Sequence, residues 1–218
     1  MIVYLDEVGR GSLYGSVFTA AVILPENIDP PFKLKSYDSK KISAKKREII
    51  CEWIKENCLE WSIGYLDCKE IDKNNIYNCT MTAFHKALDK LKLPFDEIHV
   101  DGNHFKPYIK DDFIPHKCYI KGDMTCMGIG FASIIAKVSH TSYIRNECLL
   151  NPYLNDKYDL LNNQGYGTKK HIDGILKHGF SNNHRLSYKI KRIPEEFYSN
   201  FSMNNNNNNN KTIFEYEI

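Results

Sequence analysis

An α/β fold built on a mixed sheet is what this sequence predicts, and three observations carry the prediction. Short apolar runs of strand character crowd the chain as far as Tyr65. Beyond them, strand-like runs alternate with segments of helical spacing. The 218 residues are 42% hydrophobic and 26% charged, enough to bury a real core in one ordinary domain with a modest appendage.

The elements follow in order. Ile2 to Leu5 reads as a buried strand and Ser16 to Leu24 as a second, joined by a glycine-rich loop. Ser43 is a natural N-cap for a helix whose apolar face is Ile49, Ile50, Trp53 and Ile54. Trp61, Ile63 and Tyr65 alternate as a third strand, and Cys79, Ala83, Ala87 and Leu91 recur at helical spacing over Ile76 to Leu91. Ile98 to Val100 is a short strand stopped by Asp101 and Gly102, and Lys117 to Ile120 another, ending at the KGD of Lys121 to Asp123. GIGFASIIAKVSH, Gly128 to His140, is a helix crowded with small residues and suited to close packing on a sheet. Thr168 to Lys177 is a further short helix, with Gly179 as its stop. From about Ser199 the composition changes: seven consecutive asparagines, Asn204 to Asn210, cannot build a packed core, and residues 199–218 are expected to be a disordered tail.

Charge narrows the function classes. A formal net charge of +2 rules out a bulk polycation argument for nucleic acid. The distribution is more telling, because Lys33 to Arg47 and Lys169 to Arg192 each carry seven Lys or Arg against one acid. Two such segments suit a phosphate-binding face, and equally suit solvated surface. The seven cysteines form no Cys-x-x-Cys pair and are odd in number, so reduced core thiols in an intracellular, cytoplasmic protein are expected. No signal peptide is expected, and no apolar run approaches the roughly 20 residues of a membrane helix.

Three predicted strands end in acids: Asp6 with Glu7, then Asp101, then Asp123. Strand ends and the loops after them are where α/β sheets form sites. Four carboxylates gathered there would repel unless cations sat among them, and hard ions such as Mg²⁺ or Mn²⁺ take oxygen ligands. Two ions roughly 4 Å apart can activate water and stabilise a leaving oxygen in phosphodiester cleavage. Asp101-Gly102 and Gly122-Asp123 also read as ordinary turns. Neighbours on an extended strand point to opposite faces, so Asp6 and Glu7 reach one site only if the strand ends or bends there, which Gly9 and Gly11 make easy.

DEVGRG, YDSKKIS, VDGN, KGD, FASIIAKV, GYGTKKH and HRLSYK stand in the order and spacing of ribonuclease HII, the type 2 ribonuclease H family, which the chain resembles from about Ile2 to Arg192. The resemblance implies a ribonuclease H-like mixed sheet flanked by helices: a catalytic domain over 1–198, its core about 1–145 and a helical C-terminal extension about 146–198. It implies an endoribonuclease that cuts the RNA strand of RNA/DNA hybrids and incises DNA 5′ of embedded ribonucleotides, leaving 3′-hydroxyl and 5′-phosphate ends. Its cofactors would be two Mg²⁺ or Mn²⁺ ions on Asp6, Glu7, Asp101 and Asp123. Gly9, Arg10 and Gly11 match the loop whose backbone reads a 2′-hydroxyl, the group that tells RNA from DNA, and Tyr166 matches the junction-sensing tyrosine. Arg10 and Lys40 suit phosphate contacts, and His184 and Arg185 are placed near the substrate face. Lys137 reads as a surface lysine whose stem lies along the helix.

The likeness implies roles in ribonucleotide and primer removal during DNA replication and repair. A monomer is expected, with the tail as a candidate for docking a replication partner. Departures are also visible. Ser12 and Ser16 stand where the family usually has prolines, and Tyr14 where it has a small residue. His140 and Thr141 replace the Arg and Asp of AKVTRD. An alternative is a type 1 or type 3 ribonuclease H specificity for runs of ribonucleotides; type 3, expected with an additional N-terminal domain, is set aside, and Tyr166 in GYGT favours single-ribonucleotide cleavage. A binding module without catalysis would be expected to lack an acid, and all four are present.

Overall fold

Five strands pair into the central sheet of the computed structural model, which describes residues 1–32, 39, 42–110 and 112–199. In chain order the strands are β1 (Ile2–Val8), β2 (Val17–Ile23), β3 (Glu60–Leu66), β4 (Glu97–Asp101), a small ribbon of β5 (Tyr108–Ile109) with β6 (Phe113–Ile114), and β7 (His116–Tyr119). The sheet runs β3-β2-β1-β4-β7. β1, β2 and β3 pair antiparallel, while β1–β4 and β4–β7 are parallel, so the sheet is mixed as expected. The short β1–β2 link permits antiparallel pairing, whereas β4 must return beside β1 through a helical crossover.

The helices are α1 (Ala44–Asn57), α2 (Cys68–Asn74), α3 (Ile76–Asp89), α4 (Gly122–Thr125), α5 (Met127–Leu150), α6 (Tyr153–Tyr158), α7 (Leu160–Asn163) and α8 (Lys169–His178). Two expectations need correction. α1 buries Ile50, Cys51 and Ile54 and leaves Ile49 exposed, because its buried stripe is rotated toward Cys51. β1 does not stop at Leu5 but runs on through Asp6 and Glu7 to Val8, since the ladder with β2 continues as far as Val8 opposite Phe18. The sequence reading also passed over α2, which is capped by Asp67 accepting from the Glu70 amide.

The chain divides into two compact units. The first takes Met1–Arg10 and Ser16–Thr141, and the second takes Gly11–Gly15 with the chain from Ser142 onward. In the first, Val3, Leu5, Ile98 and Val100 of the sheet pack with Phe84, Ala87 and Leu88 of α3. Burying a Leu or Phe side chain of this kind contributes on the order of 1.5–3 kcal/mol. In the second unit, Leu154, Tyr158, Ile172, Ile175 and Phe180 are buried. α8 is capped as its sequence predicts, with Thr168 Oγ1 accepting from the His171 amide and Gly179 leaving at φ +76.

Candidate active site

Parallel pairing of β1 and β4 brings the acids together. Leu5 stands opposite Val100, so the next residues along the two strands are Asp6 and Asp101. Asp101 in turn pairs with Tyr119 at the end of β7. The chain then turns at Lys121, whose φ of +58 is left-handed, and enters α4 with Asp123 in its first turn. The Gly122 amide donates to Asp101 Oδ1 at 2.6 Å, tying the KGD turn to the end of β4. A β-carbon at Gly122 would stand 2.9 Å from Tyr119 Cβ, which the backbone fixes, so the turn needs glycine.

Asp6 is 5% exposed and Asp123 8%. Burial pushes the Asp6 carboxyl well above the usual range, and the neighbouring charges of Glu7 and Asp101 push it the same way. The Ser133 hydroxyl and the Glu7 amide, the latter 2.7 Å from Asp6 Oδ1, donate to it and pull it back in part. Glu7 is also raised by burial, with Arg10 lowering it and Asp101 raising it. Asp6 and Glu7 therefore act on one another and on Asp101 without any end to the strand between them. The partially exposed Arg10 sets its Nη1 3.4 Å from Glu7 Oε1.

Among the described residues no group of three or more His, Cys, Asp or Glu side chains is gathered closely enough to hold a metal ion. The donor set nevertheless fits a hard divalent ion, because every donor is a carboxylate oxygen and Mg²⁺ uses only one or two carboxylates while keeping its waters. Burial is the largest cause of the upward push on Asp6, and a cation held beside it would oppose that push.

Ser133 is a residue the sequence reading missed. Its hydroxyl serves Asp6 and lies 3.0 Å from the hydroxyl of Ser39 in the DSKK segment. Ser39 is itself anchored, since Arg47 Nε donates to its carbonyl at 2.9 Å. A buried serine in a small-residue helix was the available signal, but helical spacing alone does not say which strand it faces. Lys40 lies outside the described residues, as does the tail from residue 200.

The glycine loop divides between the units. Gly9, at φ +85, would carry a β-carbon 3.1 Å from the His140 ring and 3.1 Å from the Ser16 carbonyl, so a bare backbone is required there. His140, fully buried, lies edge-on to Phe18 with ring centres 5.8 Å apart. The histidine standing in the family's arginine position thus packs beneath the loop.

Within the second unit, Gly11–Gly15 is held like a short strand. Leu13 N donates to Gly165 O, Arg185 N to Leu13 O and Gly15 N to Asn183 O, each at 2.8 Å. Bridges pair Ser12 with Tyr166 and Tyr14 with His184. Ser12 Oγ donates to Tyr14 O at 2.7 Å, so hydrogen bonding supplies stiffness where the family has a proline. Tyr14 Oη donates to Glu147 Oε2 at 2.8 Å, and Asn183 Nδ2 donates to the same oxygen at 2.7 Å. The exposed Gly11 meets the half-buried Tyr166 ring, to which an added β-carbon would come no closer than 3.7 Å.

His184 and Arg185, expected near the substrate face, turn inward instead. They are 2% and 1% exposed. Arg185 Nε donates to Gly15 O at 2.9 Å, and His184 Nε2 lies 3.0 Å from His171 Nε2. Their backbones hold the loop, and their side chains are committed to the interior. Burial lowers the affinity of both His171 and His184 for a proton, and the neighbouring His171 ring lowers His184 further.

A mixed sheet with acids gathered at the ends of β1 and β4 is the layout of the ribonuclease H-like proteins. Solved structures agree on the fold. The ribonuclease H2 from Pyrococcus horikoshii OT3 superposes with a TM-score of 0.73 at 20% identity, covering 92% of this chain and 98% of that one. The RNase HII of a PCNA:RNase HII complex from Archaeoglobus fulgidus gives 0.68 at 21% identity, covering 90% and 98%. A family model for ribonuclease HII matches residues 4–191. The ribonuclease HII of Trichodesmium erythraeum is 42% identical over 185 residues, 84% of this chain and 84% of that protein. That of Parabacteroides distasonis is 39% identical over 192 residues, 88% and 90%. The chain belongs to the ribonuclease HII family, whose members are metal-dependent endoribonucleases.

Proposed function

We propose that this chain hydrolyses the RNA strand of RNA/DNA hybrids and incises duplex DNA 5′ of embedded ribonucleotides, leaving 3′-hydroxyl and 5′-phosphate ends. The observation that carries the reading is geometric: parallel pairing sets Asp6 and Asp101 side by side at the ends of β1 and β4 with Glu7 next in the chain, and an oxygen-bound divalent cation would relieve the repulsion between them. Asp6 and Asp101 would hold one ion, and Glu7 and Asp123 the other. When bound, such ions supply a water of lowered pKa and stabilise the departing 3′-oxygen. The chain's own groups do the rest. Gly11 offers exposed bare backbone for close approach to a 2′-hydroxyl, and the Tyr166 ring beside it offers a flat surface for a sugar or base. Arg10 and Lys40 would contact phosphates and so position the duplex without reading its sequence.

Ribonucleotide and primer removal in replication and repair is the corresponding cellular role. The described cysteines are all free thiols, which suits a reducing, cytoplasmic setting. Among the described residues no helix is long and apolar enough to cross a membrane. A monomer suffices for this chemistry, and the tail is a candidate to dock a replication partner.

The test uses two labelled duplexes, one with a single ribonucleotide and one a full hybrid, in Mg²⁺ and in Mn²⁺. Cleavage of both is expected, with Mn²⁺ the better ion, because Mg²⁺ demands near-ideal octahedral geometry and His140 and Thr141 replace the family's Arg–Asp pair. Asp6→Asn and Asp101→Asn should each nearly abolish cleavage while duplex binding persists. Wild-type turnover in either variant would refute the assignment, and equal or higher activity in Mg²⁺ would refute the ion preference.

A further inference from the structure

Tyr166 can report on a junction only if its backbone is held still, and its carbonyl is held from behind. One lone pair accepts the Thr168 amide at 2.8 Å. The other faces His171 Nδ1 at 3.0 Å. From there a chain of hydrogen bonds runs inward: His171 Nε2 lies 3.0 Å from His184 Nε2, and the Ser181 amide donates to His184 Nδ1 at 2.8 Å. Both rings are buried, His171 at 0% exposure and His184 at 2%.

The proton positions follow from the two ends. A backbone amide can only donate, so His184 Nδ1 accepts, and in the neutral ring its proton sits on Nε2. That proton points at His171 Nε2, which must accept, leaving the His171 proton on Nδ1, where it meets the Tyr166 carbonyl. The Ser181 hydroxyl, also 2.8 Å from His184 Nδ1, can donate to the same nitrogen. The opposite assignment would set N–H against N–H at Ser181 and leave two lone pairs facing each other at Tyr166. One tautomer of each ring satisfies the whole chain.

The surroundings favour two neutral rings. Tyr158 meets the His184 ring edge-on at 4.7 Å between centres, Tyr14 at 5.3 Å and Phe180 at 5.6 Å. The acid felt by His171 is Asp159.

We propose that His171 and His184 are positioning residues for Tyr166: a two-histidine relay of fixed tautomer that anchors its carbonyl and so sharpens discrimination between a single-ribonucleotide junction and a continuous hybrid. The inference rests on the junction role of Tyr166. It goes beyond that role by naming what holds the tyrosine, with neither histidine touching substrate.

The test reads the ratio of kcat/KM for single-ribonucleotide incision to that for hybrid cleavage, in variants shown to be folded by circular dichroism. His171→Leu removes the donor to Tyr166 and should lower the ratio about fivefold, the size of one net hydrogen bond. His171→Asn places an amide N–H near the old Nδ1 and should restore the ratio to within about twofold of wild type. An unchanged ratio in His171→Leu, or an equal fall in His171→Asn, overturns the proposal. Should His171→Leu not fold, His184→Leu takes its place, since it strips His171 of the donor that sets its tautomer.

Imidazole ¹⁵N shifts in the wild-type protein give an independent reading: a proton on Nδ1 of His171 and on Nε2 of His184 supports the relay, and any other pattern at neutral pH overturns it. Tyr166→Ala separates the two layers. If that variant leaves the ratio unchanged, the junction role of Tyr166 fails, while the tautomer measurement still decides whether the relay exists.

Discussion

Gly9 and Gly11 sit two residues apart in one loop, yet the structure assigns their missing side chains to different causes, and alanine at each position separates them. At Gly9 the backbone φ of +85 is left-handed, which costs an L-residue about 1–2 kcal/mol. The new methyl would also stand 3.1 Å from the buried His140 ring and from the Ser16 carbonyl, and crowding of that kind costs about 1–2 kcal/mol more. Gly9→Ala should therefore lose about 2–4 kcal/mol, and at roughly 2–4 °C per kcal/mol for a chain of this length melt about 4–16 °C lower. Gly11 has neither problem: its φ is not positive, and the Tyr166 ring stands 3.7 Å from the added carbon. Gly11→Ala should melt with the wild type, within about 0.5 kcal/mol. On the proposed reading its methyl would instead occupy the space a sugar needs, and single-ribonucleotide incision should fall at least about tenfold, a loss of roughly 1.4 kcal/mol in transition-state stabilisation. Scanning calorimetry and steady-state incision on the same preparations make the assay. A Gly11→Ala protein that cuts like the wild type, or melts as low as Gly9→Ala, would refute the reasoning.

Two further outcomes are expected. Ser133→Ala removes the hydroxyl that serves Asp6, and if Asp6 is a ligand as proposed, loss of such a partner costs about 10–100-fold in metal affinity; the midpoint of a Mg²⁺ titration, read by incision on protein shown to be folded, should rise accordingly. The buried histidines set a pH dependence. Burial lowers the proton affinity of both His171 and His184 when folded, while unfolded histidines titrate near about 6.5. Their stabilisation is therefore complete above that value and is lost as pH falls from it through the lowered folded values. Melting scans from pH 7.5 to 5.5 should show a decline that is weaker in His171→Asn, and an equal decline in both proteins would count against it.

The acids at the strand ends were legible because strand and acid are neighbours in the chain. DEVGRG showed a strand, two acids and two glycines in six residues, and the KGD and VDG endings followed the same logic. What local spacing could not carry was the pairing. Asp6 meets Asp101 only because β4 returns parallel to β1 with Leu5 opposite Val100. Misjudging where β1 ends had the same origin, since a strand continues for as long as its neighbour supplies hydrogen bonds, and β2 supplies them to Val8. His184 and Arg185 were placed on the substrate side by their charge and motif. Their burial depends on the Gly11–Gly15 segment arriving from the far end of the chain.

By itself, then, the sequence determined the strands, the capped α8, the four acids and the family they point to, because strand alternation, capping and motif spacing are properties of residues close together in the chain. Tertiary structure alone decided that Ser133 reaches Asp6, that Gly165, Asn183 and Arg185 hold the Gly11–Gly15 segment, and that His184 backs the His171 ring behind Tyr166. Those contacts join residues far apart in sequence, and a hydrogen bond forms where folding brings donor and acceptor to within about 3 Å, whatever their separation along the chain.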